Sequence, residues 1–160
     1  MTLDQPSGLP ERRRPVHHVR HDAGNRSTII FLTACTRDRR PVLVTDAMHQ
    51  SIRNAWLKAT YWLIGRYMIM PDHIHLFCAP GTIPPEPLEP WIAYWKRLVA
   101  FDVGGSLWQK NSWDTQLRSH ESYAKKWEYV RNNPVRAGLV SQPEDWPFQG
   151  EINVLPWHDH

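Results

Sequence analysis

The chain has 160 residues, 41% of them hydrophobic, which suits one core and one small domain. Lys and Arg exceed Asp and Glu by 19 to 16, a net charge of +3 with a pI near 9.0, so the placement of charge matters more than its amount. Two cysteines, Cys35 and Cys78, exclude a disulfide framework and read as buried thiols of a reducing cytosol. The apolar runs fall far short of the roughly 20 residues a membrane span requires, and no signal-peptide pattern opens the chain. A cytoplasmic protein is expected.

Residues 1–26 read as an irregular basic arm punctuated by Pro6, Pro10 and Pro15. Eight of the 19 Lys and Arg residues lie within the first 40 positions. Arg12, Arg13, Arg14, Arg37, Arg39 and Arg40 are among them, and such a cluster suits phosphate contacts and salt-sensitive affinity. The opposite reading is a solvated tail. A β-branched run predicts a strand over residues 27–36, followed by a helix over 45–59. Residues 65–70 and 74–79 are apolar runs parted by Pro71-Asp72, which predicts a hairpin. Four prolines in residues 80–87 mark a linker. A second helix is expected over 88–103, stopped by Gly104-Gly105. A fourth strand falls near 108–118, then a helix starting at Ser119 as N-cap. Pro134 disfavours helical geometry at Asn133, so that helix should end there. The segment after Gly138 is a Pro- and Trp-containing wrap.

Two places carry chemistry. Alternation along the second hairpin strand puts His73, His75 and Phe77 on one face and Ile74, Leu76 and Cys78 on the other. Two adjacent imidazoles suit a divalent transition metal, although strand histidines are also ordinary polar surface. In the last helix Tyr129 and Asn133 stand four apart, hence on one face. Alone, that helix reads as an amphipathic packing helix. Nine tryptophans are a further oddity. Aromatic faces interleaved with cations suit unpaired bases, yet most tryptophans are core, and only one or two are expected to be open to such a ligand.

Together these segments resemble a known family. Pro71-Asp72-His73-Ile74-His75-Leu76 looks like the HUH motif (histidine, hydrophobic, histidine). The stretch from Tyr129-Val130-Arg131-Asn132-Asn133-Pro134 to Val140 is similar to the tyrosine helix of single-tyrosine HUH transposases, and most of all to the REP-associated tyrosine transposases. Thr36-Arg37-Asp38-Arg39-Arg40-Pro41, Leu107-Trp108-Gln109-Lys110, Trp113-Asp114 with Leu117-Arg118, and Asp145-Trp146-Pro147-Phe148 extend the resemblance over about residues 28 to 148.

The resemblance implies His73 and His75 as metal ligands, Asn133 as the third, and Tyr129 as the nucleophile that forms a 5′-phosphotyrosine. Tyr123, six residues earlier, is the rival tyrosine and reads as packing. Magnesium or manganese is the implied cofactor, while ligand softness also admits zinc, nickel or cobalt. No general base stands out between His120 and Lys125. The implied partner is single-stranded or hairpin DNA of the REP palindrome type, bound at the nucleoid by a monomer in preference to a dimer, with Arg118 joining the arginines already named.

The fold implied by the element order is α+β, a ferredoxin-like (RRM-like) βαββαβ antiparallel sheet with helices on one face and a C-terminal tyrosine helix. The domain would span residues 27–148, with residues 149–160 as a tail. Two rivals remain: a catalytically silent DNA-binding regulator, and a histidine-triad hydrolase, which would need a further histidine where Phe77 stands.

Overall fold

A computed structural model describes residues 27–159; the basic arm, with Arg12, Arg13 and Arg14, lies outside the described residues. The elements run β1 (Ile30–Cys35), a 3-10 turn (Arg37–Arg39), α1 (Asp46–Lys58), β2 (Trp62–Met70), β3 (His73–Pro80), α2 (Leu88–Val103), β4 (Trp113–Gln116), α3 (Tyr123–Arg131), α4 (Asn133–Arg136), a second 3-10 turn (Pro143–Asp145) and β5 (Gln149–Glu151). The first four strands and two helices follow the βαββαβ order. All strand pairs are antiparallel, in the sheet order β4-β1-β3-β2-β5.

Periodicity explains which face each helix takes. In α1, Met48, Ile52, Ala55 and Trp56 recur at helical spacing and are buried. In α2, Leu88, Trp91, Ile92, Trp95 and Val99 do the same. Both stripes close over Ile30, Leu32, Ile74, Leu76 and Cys78, the inward set of β1 and β3. The opposite face carries a second cluster, in which Tyr123, Trp127 and Val130 of α3 meet Ile29, Met68 and Phe77. Nine residues are too few for a helix to persist alone in water. Those three buried side chains, at roughly 1.5–3 kcal/mol each, are what hold α3 on the sheet.

Three boundaries depart from expectation. The cap of α3 is Ser122, whose side chain accepts from the Lys125 N–H at 3.1 Å, so the cap falls three residues after Ser119. Asp159, far along the chain, completes that cap by accepting from the N–H groups of Tyr123 (2.7 Å) and Ala124 (3.2 Å). Pro134 does not stop the helical path at Asn133. The break falls at Asn132, and Pro134 occupies the first turn of α4, where a missing N–H costs nothing. The fourth strand is only four residues long, preceded by an isolated bridge between Thr36 and Trp108.

Residues expected to form a tail instead extend the structure. Gln149–Glu151 pairs with Arg66, Tyr67 and Met68 as the fifth strand, and Leu155 and Trp157 pack into the α3 cluster. Among the described residues no helix is long and apolar enough to cross a membrane.

Candidate active site

The β2–β3 turn at Pro71-Asp72 brings His73 to the start of β3, and strand alternation sends His73 and His75 to the α3 side of the sheet. Their rings lie 4.8 Å apart, centroid to centroid. Each Nδ1 has a partner. His73 Nδ1 is 2.8 Å from Asp72 Oδ1, and His75 Nδ1 is 2.9 Å from Thr33 Oγ1, its cross-strand neighbour on β1. When both Nδ1 atoms carry the proton and donate, each Nε2 keeps a free lone pair, as a metal ligand requires.

Electrostatics keep His75 in that state. Burial, then the neighbouring His73 ring, then the guanidinium groups of Arg136 and Arg39 push its pKa from 6.5 down to about 3. Phe31 stacks on its ring at 5.3 Å. Partial burial would raise the Asp72 carboxyl, but the hydrogen bonds from His73 and Arg39 prevail and hold it below the usual range.

Arg39 donates its Nε–H to Asp72 Oδ2 at 3.0 Å. To reach it, the backbone takes left-handed conformations at Asp38 (φ 56°) and Arg39 (φ 52°), each costing on the order of 1–3 kcal/mol. The Arg39 side chain is half exposed, and such an ion pair contributes at most about 1 kcal/mol, too little to hold that backbone. The hydrogen bonds from Thr36 N–H to the Asp72 carbonyl (3.0 Å) and from Arg37 N–H to the Leu107 carbonyl (2.8 Å) supply the rest. Arg37 and Arg40 both reach Ser106, through its hydroxyl (2.7 Å) and its carbonyl (3.0 Å). The three arginines therefore form one braced loop beside the histidines, each with N–H donors beyond the contacts that pin it. Arg118 is exposed between β4 and α3.

Tyr129, on the outer part of α3, is 69% exposed. The guanidinium of Arg136 lies 4.0 Å from its ring centroid and donates to the Tyr129 carbonyl at 2.9 Å. A second N–H of the same group goes to Asn133 Oδ1. One arginine thus ties the tyrosine to the asparagine while its charge reaches His75. The sequence reading missed Arg136, although its spacing of seven from Tyr129, two helical turns, was a usable signal. It also missed Thr33, which only strand register reveals.

Tyr123 is buried. Its hydroxyl accepts from the Arg66 backbone N–H at 3.0 Å, and burial, outweighing that bond, raises its pKa to about 12. It approaches Gly65 so closely that a Cβ there would sit 2.6 Å from its oxygen. It is a packing residue. His120 lies exposed in the turn before α3, and Lys125 is exposed on α3.

Among the described residues no group of three or more His, Cys, Asp or Glu side chains converges on a metal position. Two adjacent imidazoles whose Nδ1 atoms have partners fit a divalent cation. Asn133 Oδ1, the third donor expected from the sequence, accepts from Arg136 and retains a second lone pair.

An antiparallel sheet of this order, with two long helices on one face and a short helix on the other, is a fold found among solved transposases. A REP-associated tyrosine transposase bound to a REP hairpin superposes with a TM-score of 0.70 at 23% identity, over 88% of this chain and 82% of that one. A transposase from Deinococcus radiodurans matches at a TM-score of 0.50 and 19% identity, over 71% and 95%. In sequence the chain is 28% identical over 125 residues to the REP-associated tyrosine transposase of Escherichia coli, 74% of this chain and 73% of the relative. A Haemophilus influenzae relative named for the same activity is 25% identical over 139 residues, 75% and 77% of the two chains. No family profile matches the chain. In both sequence and fold the chain resembles the REP-associated tyrosine transposases.

Proposed function

We propose that the chain is a transposase that cuts and joins single-stranded DNA beside a hairpin, through a covalent bond to Tyr129. The observation that carries this reading is the shared face. Two imidazoles with pinned Nδ1 atoms and an exposed tyrosine occupy one side of the sheet in a single chain, with Arg136 touching the tyrosine and acting electrostatically on His75.

In this reading His73 and His75 hold a divalent cation, Mg²⁺ or Mn²⁺, through Nε2, with Asn133 Oδ1 as the third donor. When bound, the cation polarises the scissile phosphate and neutralises charge on its oxygens. The chain's own residues do the rest. The Tyr129 phenolic oxygen attacks phosphorus in line, the P–O3′ bond breaks, the phenol proton passes to solvent at this exposed position, and the leaving 3′-oxygen takes a proton from solvent. A 5′-phosphotyrosine and a free 3′-hydroxyl result, and attack by that or another 3′-hydroxyl reverses the step. Arg136 fixes the ring, since a planar guanidinium held at two acceptors cannot swing away as a lysine could. The braced arginine loop binds backbone phosphates. On this reading the histidines and the tyrosine of one chain make one site, and a monomer is the working assembly. The solved relative is bound to a REP hairpin, which makes REP-like palindromes the first substrates to try.

The test is a labelled hairpin with single-stranded flanks, incubated with Mn²⁺ or Mg²⁺ and scored for a protein–DNA adduct that survives denaturant. Wild type and Tyr123→Phe should form the adduct, and Tyr129→Phe should not. Tight hairpin binding without any adduct would replace the enzyme with a silent DNA-binding regulator. A histidine-triad hydrolase finds no support, because the position it would need is Phe77, buried 4.9 Å from the Tyr123 ring.

A further inference from the structure

Of the nine tryptophans, six are buried, and Trp108 and Trp157 are half-buried with their indole N–H groups donated to the carbonyls of Lys96 (3.0 Å) and Glu121 (2.8 Å). Trp113 differs: it is 41% exposed at the start of the edge strand β4. An indole left this open forgoes much of the roughly 1.5–3 kcal/mol that burying a large side chain provides. Stability is therefore a weak reason for tryptophan here.

Register shows where it stands. Trp113 pairs with Thr33 across β4 and β1, and Thr33 pairs with His75 across β1 and β3. Residues opposed in antiparallel strands project to the same side. Trp113, Thr33 and His75 thus form one row across the sheet, on the face away from α1 and α2. At about 4.8 Å per strand, Trp113 stands about 10 Å from His75. The loop with Arg37, Arg39 and Arg40 leaves β1 at the same end of the sheet. A half-open indole thus stands in the row of His75, at the end of the sheet from which the arginine loop leaves.

We propose that Trp113 is a stacking platform for an unpaired nucleobase of the DNA strand that enters the histidine site. This rests on the reading of the chain as an enzyme of single-stranded DNA beside hairpins, and it adds where the strand is held. Bases paired in the stem keep their π-faces covered inside the duplex, so the platform takes an unpaired base, and a single-stranded flank beside the hairpin offers one. The arginine loop at the same end of the sheet matches the phosphates of such a strand. Stacking is tolerant of base identity, so the platform grips the flank and leaves sequence choice to other contacts.

The experiment measures binding in the Tyr129→Phe background, which holds DNA without cutting. Two ligands are compared: a hairpin with a single-stranded flank, and the same hairpin blunt. Trp113→Ala should weaken the flanked hairpin by about 5- to 150-fold and the blunt one by less than twofold. Trp113→Leu, which keeps apolar bulk without a π-face, should match alanine, and Trp113→Tyr should recover most of the loss. Undiminished binding of the flanked hairpin overturns the platform. So does an equal loss on both ligands, or a change in sedimentation showing that Trp113 instead joins two copies of the chain. The two proposals fail separately. Flank binding that depends on Trp113, with no adduct in wild type, keeps the platform and removes the nuclease. An adduct in wild type with unchanged Trp113→Ala affinity does the reverse. Failure to bind either DNA overturns both.

Discussion

Lowering the pH should expose how strongly the fold holds His75 neutral. In the folded chain burial, reinforced by His73, Arg136 and Arg39, places its pKa at about 3 against an ordinary 6.5. Below pH 6.5 the unfolded chain therefore takes up a proton that the folded chain refuses, and stability must fall with pH until about pH 3. Between about pH 7 and pH 4.5 the loss amounts to about 2.5 kcal/mol, because each pH unit below the ordinary histidine value costs about 1.36 kcal/mol. His49 acts in the same direction over this range, lowered by burial and then by Arg53, with Asp46 opposing. The remedy is subtraction. Urea unfolding of the wild type and of His75→Gln, both with chelator, should show the variant losing about 2.5 kcal/mol less over that interval. Equal losses in the two chains would refute the placement of His75 as a buried neutral imidazole. With it would go the inference that metal binding at about pH 5–8 displaces no proton from this ligand.

Two substitutions test the groups behind the site. Asp72→Asn removes the carboxylate shared by His73 and Arg39 and should weaken Mn²⁺ binding by roughly 10- to 100-fold in calorimetry; unchanged affinity would show that His73 needs no such partner. Arg136→Lys keeps the charge but loses the fork that meets the Tyr129 carbonyl and Asn133. Adduct formation should slow by roughly 10- to 100-fold while hairpin affinity moves less than threefold, and a fall in affinity alone would recast Arg136 as a phosphate contact.

Much of the fold and site is legible in the sequence. Strand alternation around Pro71-Asp72 fixes which side His73 and His75 face, because a one-residue slip would have put Ile74 and Leu76 into solvent. The limits of α2 follow from the linker prolines and from Gly104, which ends the helix with a left-handed backbone at φ 83°. What was not legible depends on contacts between distant segments. Ser119 and Ser122 are equally good caps locally; the choice is made by Asp159, which reaches back to Tyr123 and Ala124. Gln149–Glu151 has no apolar alternation and becomes a strand only because β2 offers an open edge. Thr33 is one threonine among several until register sets it against His75. The arginines at 37, 39 and 40, which composition marks as DNA contacts, prove to be a braced loop, and charge counting does not reveal that.

These contacts also explain how so small a chain can hold a site open. The face under α1 and α2 is fully closed and carries most of the buried apolar surface. The other face is closed only where α3 and the C-terminal wrap lie over it, and the histidines sit at the margin of that cover. A margin is a poor place for rigid geometry, because water competes for every hydrogen bond there. The structure answers with a partner for each group of the proposed site: Asp72, itself held by Arg39, for His73, Thr33 for His75, and Arg136 for Tyr129. None of these partners bears on the main core. Changing one should therefore loosen the site and leave the fold standing, whereas cutting into Trp91 or Trp95 should unfold both together.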